Sequence, residues 1–208
     1  MTRYSQMTIN GEDRTAEVHQ FGRAIGLDAA APNRYSTLLL IEMYAATVLA
    51  QQMNPAKVIH EIRTLENGGH AVGTKPATQF KHAPLRGLWH KHYQQDGLQS
   101  MALNLRLGLK RHGLPVFEQR MREAQEANEE RYVSHEDIAA IAHDAVIGNY
   151  ERRHQAGELT GEWIIYAQHA GKNYYLCLGE HDSGDDVLRK KVDDLCIREF
   201  PFLTELLA

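Results

Sequence analysis

Between Lys75 and Tyr93 the chain reads KPATQFKHAPLRGLWHKHY. Cations (Lys75, Lys81, Arg86, Lys91), imidazoles (His82, His90, His92) and aromatic rings (Phe80, Trp89, Tyr93) alternate along it. Lysine and arginine neutralise phosphate, and aromatic faces stack on exposed bases. Histidine transfers protons near neutral pH. Cleavage of RNA by its own 2′-hydroxyl needs a base, an acid and a cation on the pentacovalent phosphate, and no metal. The blander account makes Leu88 and Trp89 core residues and the charges a solvated face.

The surrounding charge favours an anionic partner. Residues 67–113 hold seven Lys/Arg and one acid, Asp96, a balance of +6 in a chain whose net charge is −4, so the remainder carries −10. Five of the twelve histidines (His70, His82, His90, His92, His112) fall in the same segment. Sign asymmetry of this kind marks a binding face better than whole-chain charge does. Lys75, Lys81, His90 and Lys91 are therefore substrate-binding candidates. Arg106 and Lys110, four apart on one helix, extend them as a flanking cationic stripe. A second set lies further on, with His169 and Lys172 at a turn, Tyr174 on the strand after it, and His181-Asp182 following that strand. His19, His60, His135 and His154 read as surface residues, and His143 as a partly buried histidine of an amphipathic helix.

Stronger signatures are absent. His135-Glu136 has no second histidine at the HExxH position. No GxSxG or GxGxxG occurs. Gly68 to Lys75 has threonine and lysine in the wrong order for a phosphate loop, and Pro76 blocks the helix that would follow. Cys177 and Cys196 form no CxxC pair, sit among apolar residues and read as buried free thiols of a reducing, cytoplasmic setting. His90 and His92 would need further ligands from elsewhere to hold a metal, so neither a metal site nor a cofactor is assigned, and a histidine-ligated metalloprotein stands as a further alternative.

The elements that must position these residues are legible in part. A length of 208 residues fits a single α+β domain over 1–208, mostly helical with a small antiparallel sheet. Residues 1–32, with Gly11, Gly22, Gly26 and an Ala-Ala-Ala-Pro run, read as loosely structured and without an apolar leader. Asn33 to Met53 is apolar on most faces and predicts a central helix, its longest apolar run falling short of the ~20 residues of a membrane span. Asn54-Pro55 caps a second helix running to about Glu66. A long loop over 68–96 follows, with a short strand near Gln79–His82 and a helical turn around Leu88–Tyr93. Gly97 to His112 predicts a helix with Leu98, Met101, Ala102, Leu105 and Leu109 inward, closed by Gly113. Pro115 opens another helix. Ser134 to Asp137 resembles a capping box, opening a helix with Ile138, Ile141, Ala142, Ala145 and Val146 inward. Trp163–Ala167 and Tyr174–Leu178 form a hairpin around Gly171. A last helix over Asp186 to Arg198 carries Val187, Val192, Leu195 and Cys196, and Pro201 marks its end.

The run Phe80-Lys81-His82-Ala83-Pro84-Leu85-Arg86-Gly87-Leu88, helices before it, and a C-terminal hairpin ending in His181 together resemble the barnase–EndoU–colicin–RelE group of RNase folds, with the phage and toxin branches nearest. The resemblance spans about residues 70–182. It implies helices packed on an antiparallel sheet of about four strands and RNA cleavage without metal. It also implies His82 and His181 as acid and base, with Arg86 and Lys172 on the phosphate; with His92, the catalytic candidates are His82, Arg86, His92 and His181. The sequence thus favours a metal-independent, toxin-like RNase. The alternative is a non-catalytic protein whose 67–113 segment binds nucleic acid, RNA favoured, or an acidic protein surface. No membrane partner is expected, and self-association of the chain is a further expectation.

Overall fold

A computed structural model describes residues 4, 6–68, 73–94, 97–128, 132–159, 161–180 and 183–208. In chain order the elements are β1 (Thr8–Ile9), β2 (Glu12–Asp13), α1 (Thr15–Ala24), α2 (Leu27–Ala30), α3 (Thr37–Tyr44) with a π-turn over Ala45–Leu49, α4 (Pro55–Glu66), β3 (Thr78–Gln79), β4 (Trp89–Tyr93), α5 (Leu98–His112), α6 (Pro115–Glu126), α7 (His135–His143) with a π-turn over Asp144–Gly148, α8 (Asn149–Gln155), β5 (Glu162–His169), β6 (Lys172–Gly179), α9 (Asp185–Lys191) with a π-turn over Val192–Cys196, and α10 (Leu203–Leu206). The fold is α+β. No helix among the described residues is long and apolar enough to cross a membrane. The chain divides into two compact units, one of Met1–Ala71, Lys75–Asp96 and Gly161–Ala208, the other of Val72–Thr74 and Gly97–Thr160.

The first unit is built on an antiparallel sheet of order β3-β4-β5-β6. Its alternating residues feed two cores. Ile164, Tyr166 and Tyr175 face Leu39, Met43, Val58 and Ile62 from α3 and α4. Ile165, Ala167 and Cys177 face Leu188, Val192, Cys196 and Leu203 from the C-terminal helices. A register shift between Ile165 and Tyr166 lets neighbouring Leu176 and Cys177 share that second core. Burial pushes the Cys196 thiol up to about 12 and the Cys177 thiol well above its ordinary value. Neither thiol is therefore expected to react with a disulfide reagent in the native protein, and both should react at once in denaturant; rapid native labelling of either would contradict this packing.

Local chemistry fixes the helix starts. Ser36 Oγ accepts from Leu39 N at the head of α3, where the buried Glu199 carboxylate also accepts from Thr37 N at 2.7 Å. Asn54 caps α4 with Pro55 in the first turn, and Ser134 and Asp137 complete a reciprocal capping box on α7. Ala170 and Gly171 close the β5–β6 hairpin in left-handed conformations, as a two-residue hairpin turn requires.

Three sequence expectations change in the sheet unit. Residues 8–30 are ordered rather than loose: Gly11 and Gly26 lie between elements, and Gly22 sits inside α1 where a Cβ would come within 2.9 Å of Leu40 Cδ1. That glycine marks a close helix–helix approach, not a break. The central helix begins at Thr37 rather than Asn33, because Arg34 and Tyr35 are held extended beside Tyr175 by Ser36 N to Tyr175 O and Tyr175 N to Arg34 O bonds. Leu88–Tyr93 is not a helical turn, since Trp89–Tyr93 pairs along its whole length with β5. Along α9 and its π-turn Leu188, Val192 and Cys196 are buried, while Val187 and Leu195 are exposed.

The second unit is polar inside. Its α5 helix turns Asn104 and Gly108 inward, where a Cβ on Gly108 would meet Asn149 and Arg153 of α8 at 3.0 and 3.3 Å. Asp144 accepts from Arg152 Nη1 at 2.8 Å and Val116 N at 3.3 Å, and Asn149 Nδ2 donates to Gly113 O at 3.2 Å. The expected inward stripes lie mostly outward, with Leu105, Ile141 and Ala145 half-buried. Leu98, Met101, Ala102 and Leu109 are exposed on α5, and Ile138, Ala142 and Val146 are exposed on α7 and its π-turn. Periodicity locates a stripe on a helix but does not say which side meets the rest of its own chain.

Candidate functional site

The β3–β4 connection is a tightly fastened loop. Phe80 N donates to Leu88 O at 2.9 Å, Gly87 N to Phe80 O at 3.2 Å, and Leu88 N to Leu85 O at 3.0 Å. Arg189 Nη1 donates to Pro84 O at 2.8 Å. Leu85 and Leu88 are fully buried in the second core of the sheet unit. The side chains between these anchors point the other way. Lys81, His82 and Arg86 are exposed, and none of them makes a hydrogen bond, ion pair or ring contact with the described residues. The loop thus holds two cations and an imidazole on a backbone that is already ordered.

Strand β4 sends its next residues to opposite faces. His90 and His92 join Phe80 and Trp163 in a ring cluster, with centroid separations of 4.7 Å for Phe80–His90, 5.0 Å for His90–Trp163 and 5.6 Å for His90–His92. His92 is 4% exposed, and its Nδ1 lies 3.0 Å from Gly161 O. A ring so enclosed serves packing and strand register; it does not meet a substrate in bulk solvent. On the other face Lys91 is 2% exposed. Its Nζ sits 3.2 Å from Glu61 Oε2 and donates to Lys75 O at 2.6 Å. Burial pulls the Lys91 ammonium below the ordinary lysine value, against the attraction of Glu61. Lys91 therefore joins α4 to β4 rather than presenting charge to a ligand. The Lys75 side chain is partly exposed.

The remaining candidates lie elsewhere. Tyr174 packs on Phe200 and Phe202 at 5.2 and 4.8 Å, and His169 stacks on Phe202 at 4.2 Å. Tyr174 pairs with Ala167 and His92 pairs with Trp163, so the two lie four residues apart along β5, about 13 Å. Lys172 is exposed at the hairpin turn. Arg106 and Lys110 are exposed on α5 and belong to the other unit. His70, Asp96, His181 and Asp182 lie outside the described residues. Of the catalytic candidates, His82 and Arg86 share one loop, while His92 is enclosed behind the sheet's ring cluster. Among the described residues no group of three or more His, Cys, Asp or Glu is arranged to hold a metal ion.

Sequence reasoning missed one polar cluster. A cleft of about 490 Å³ is lined by Arg34, Glu66, Lys172 and Asn173 among others. Glu66 pairs with Arg34 and accepts from Tyr175 Oη at 2.7 Å and Asn173 Nδ2 at 3.3 Å. Burial raises the Glu66 carboxyl, but these hydrogen bonds outweigh it and leave it below the ordinary range. A lowered carboxyl stabilises the fold above its unfolded pKa, and that contribution is lost as pH falls through the lowered value. Glu66→Gln is expected to flatten the acid limb of a stability–pH curve and to cost about 1–2 kcal/mol at neutral pH; an unchanged acid limb would show that the cluster does not couple to folding. No sequence signal joins these residues, because Arg34 and Asn173 meet only through the pairing of an extended segment with β6.

Comparison with known protein families, characterised proteins and solved structures finds no match for this chain.

Proposed function

We propose that this protein binds RNA through the loop between β3 and β4, with Lys81 and Arg86 on phosphate oxygens and His82 between them. The observation that carries this reading is the contrast within the loop: its backbone and leucines are fixed, and its three exposed polar side chains have no partner among the described residues. A binding edge ordered in advance loses little conformational entropy when an anion arrives. Exposed cations on such an edge suit a phosphate backbone, and Lys75 extends the same charge. The four-stranded antiparallel sheet carrying helices is also the scaffold that the RNase-fold resemblance implies.

Catalysis is the second reading, favoured by an imidazole four residues from a guanidinium on one loop. In that reaction the 2′-hydroxyl gives its proton to a base and attacks phosphorus. The bond to the 5′-oxygen breaks, an acid protonates that oxygen, and a 2′,3′-cyclic phosphate remains. His82 supplies one proton transfer and Arg86 the charge on phosphorus. His181 is the candidate for the other transfer, since His92 is enclosed.

One experiment separates the readings. The full chain is titrated into fluorescent single-stranded RNA in EDTA at several salt concentrations. Binding is expected with a log–log salt slope of about −2, three phosphates at roughly −0.7 each. Intact RNA after incubation supports binding alone, and fragments that disappear with His82→Ala support catalysis. Failure to bind at low salt would remove both readings and leave an acidic protein surface as the partner for the loop.

A further inference from the structure

The helical unit of residues 97–160 lacks what a self-sufficient helical bundle has. Its buried side chains are Asn104, Asp137, Asp144, Asn149 and Arg153, and Leu159 is the only large apolar one among them within the described residues. Many of its apolar side chains instead face outward, while Leu103, Leu105, Leu107, Leu114, Val116 and Ile141 are half-buried. Leu98, Met101, Leu109, Phe117 and Met121 are exposed on α5 and α6, with five more large apolar residues exposed between 132 and 147. Exposures run from 36% for Leu109 to 98% for Tyr132. At ~150 Å² for each fully exposed large side chain, these ten present on the order of 800 Å². That is about one partner's share of a standard protein interface.

We propose that a second copy of this chain covers this surface, in a twofold dimer formed through α5 and α6. Charge selects the second copy over other occupants. Helix α5 carries exposed Arg106 and Lys110, with Arg111 paired to Glu158, and no acid, whereas the described residues of 115–136 carry four exposed acids (Glu118, Glu123, Glu126, Glu136) against two arginines, a balance of −2. In a twofold pairing the same patch meets itself, so a basic helix and an acidic neighbour in one chain become two complementary contacts between copies. The layout of α5 suits this. Leu98, Ala102 and Leu109 follow one another on a single side, with half-buried Leu105 completing the row, and Arg106 and Lys110 flank it. The row lies about 100° around the helix from the buried Asn104–Gly108 side. The helix can therefore pack on its own unit and on a partner at once. The π-turn of Asp144–Gly148 leaves Val146 and Ile147 exposed beside these helices, continuing the apolar surface.

The test is the mass of the full chain in solution, by sedimentation or light scattering across the micromolar range. Twice the 23.6 kDa chain mass is expected, dissociating more readily as salt rises. Leu98→Glu with Leu109→Glu should run at the single-chain mass with an unchanged far-ultraviolet dichroism spectrum, because both side chains are exposed in the monomer. Arg106→Glu with Lys110→Glu should also be monomeric, as should Glu123→Lys with Glu126→Lys. Mixing these two charge-reversed chains should restore the dimer. A wild-type chain at the single-chain mass throughout would overturn the proposal and assign the surface to a different protein. A dimer that survives the two leucine replacements would overturn it by placing the interface elsewhere.

Discussion

Replacing Lys81 and Arg86 together by alanine is expected to weaken RNA binding about 30-fold, at roughly 1 kcal/mol for each exposed phosphate contact. The salt slope should shrink by about 1.4 in the same variant, because two fewer phosphates are neutralised. The fold should not change. Both side chains are exposed and without partners among the described residues, and surface replacements of that kind stay within about 0.5 kcal/mol. Loss of affinity with an unchanged melting curve distinguishes a binding edge from a structural one. Equal affinity in the variant would show that Lys81 and Arg86 are solvated charges with no part in recognition.

The second large effect concerns the scaffold beneath the loop. Glu61→Gln leaves the Lys91 ammonium in a pocket where both partners are almost fully enclosed. Removing one member of a buried ion pair typically costs about 3–5 kcal/mol, because the other charge has lost its compensation. Urea unfolding should show this as a large fall in midpoint with an unchanged slope. Glu61→Leu with Lys91→Met should recover much of the loss, since no charge then remains buried. The pH dependence follows from the lowered Lys91 pKa. Between that value and the higher pKa of the unfolded chain, the unfolded state binds more protons. Stability from this group therefore rises with pH across that window, and the rise should be steeper in Glu61→Gln. A wild-type midpoint in Glu61→Gln would mean that the pair does not hold β4 to α4.

Much of the fold was readable where local chemistry decides it. The Asn54-Pro55 start, the capping box at Ser134 and the hairpin around Gly171 each depend on residues within a few positions of one another, and each is present. Strand β4 was not readable for a specific reason. Its buried residues include Lys91 and His92, so the two-residue alternation has no apolar signature, and the strand exists through pairing with β5 some seventy residues later. Helix α5 shows the converse: its apolar stripe was plain, but the stripe faces outward because the unit buries Asn104 and Gly108 instead. The candidate site divides in the same way. Lys81, His82 and Arg86 share a loop because they are neighbours in sequence. The enclosure of His92 depends on Gly161 and Trp163, and the docking of Tyr174 on Phe200 and Phe202, which no local pattern announces.

The two units present separate surfaces. The sheet unit holds a fixed loop with exposed cations, and the helical unit holds an outward apolar surface with complementary charge. A dimer would present two such loops, and linked loops would raise the avidity for a long RNA beyond that of either alone.

The most direct measurement is a nuclear magnetic resonance titration of the isotope-labelled full chain with single-stranded RNA. The largest shifts are expected at Lys81, His82 and Arg86 and in the backbone from Phe80 to Gly87. They should saturate together and vanish at high salt. Shifts confined to Arg106 and Lys110 on α5, or no shifts at all at low salt, would contradict the account.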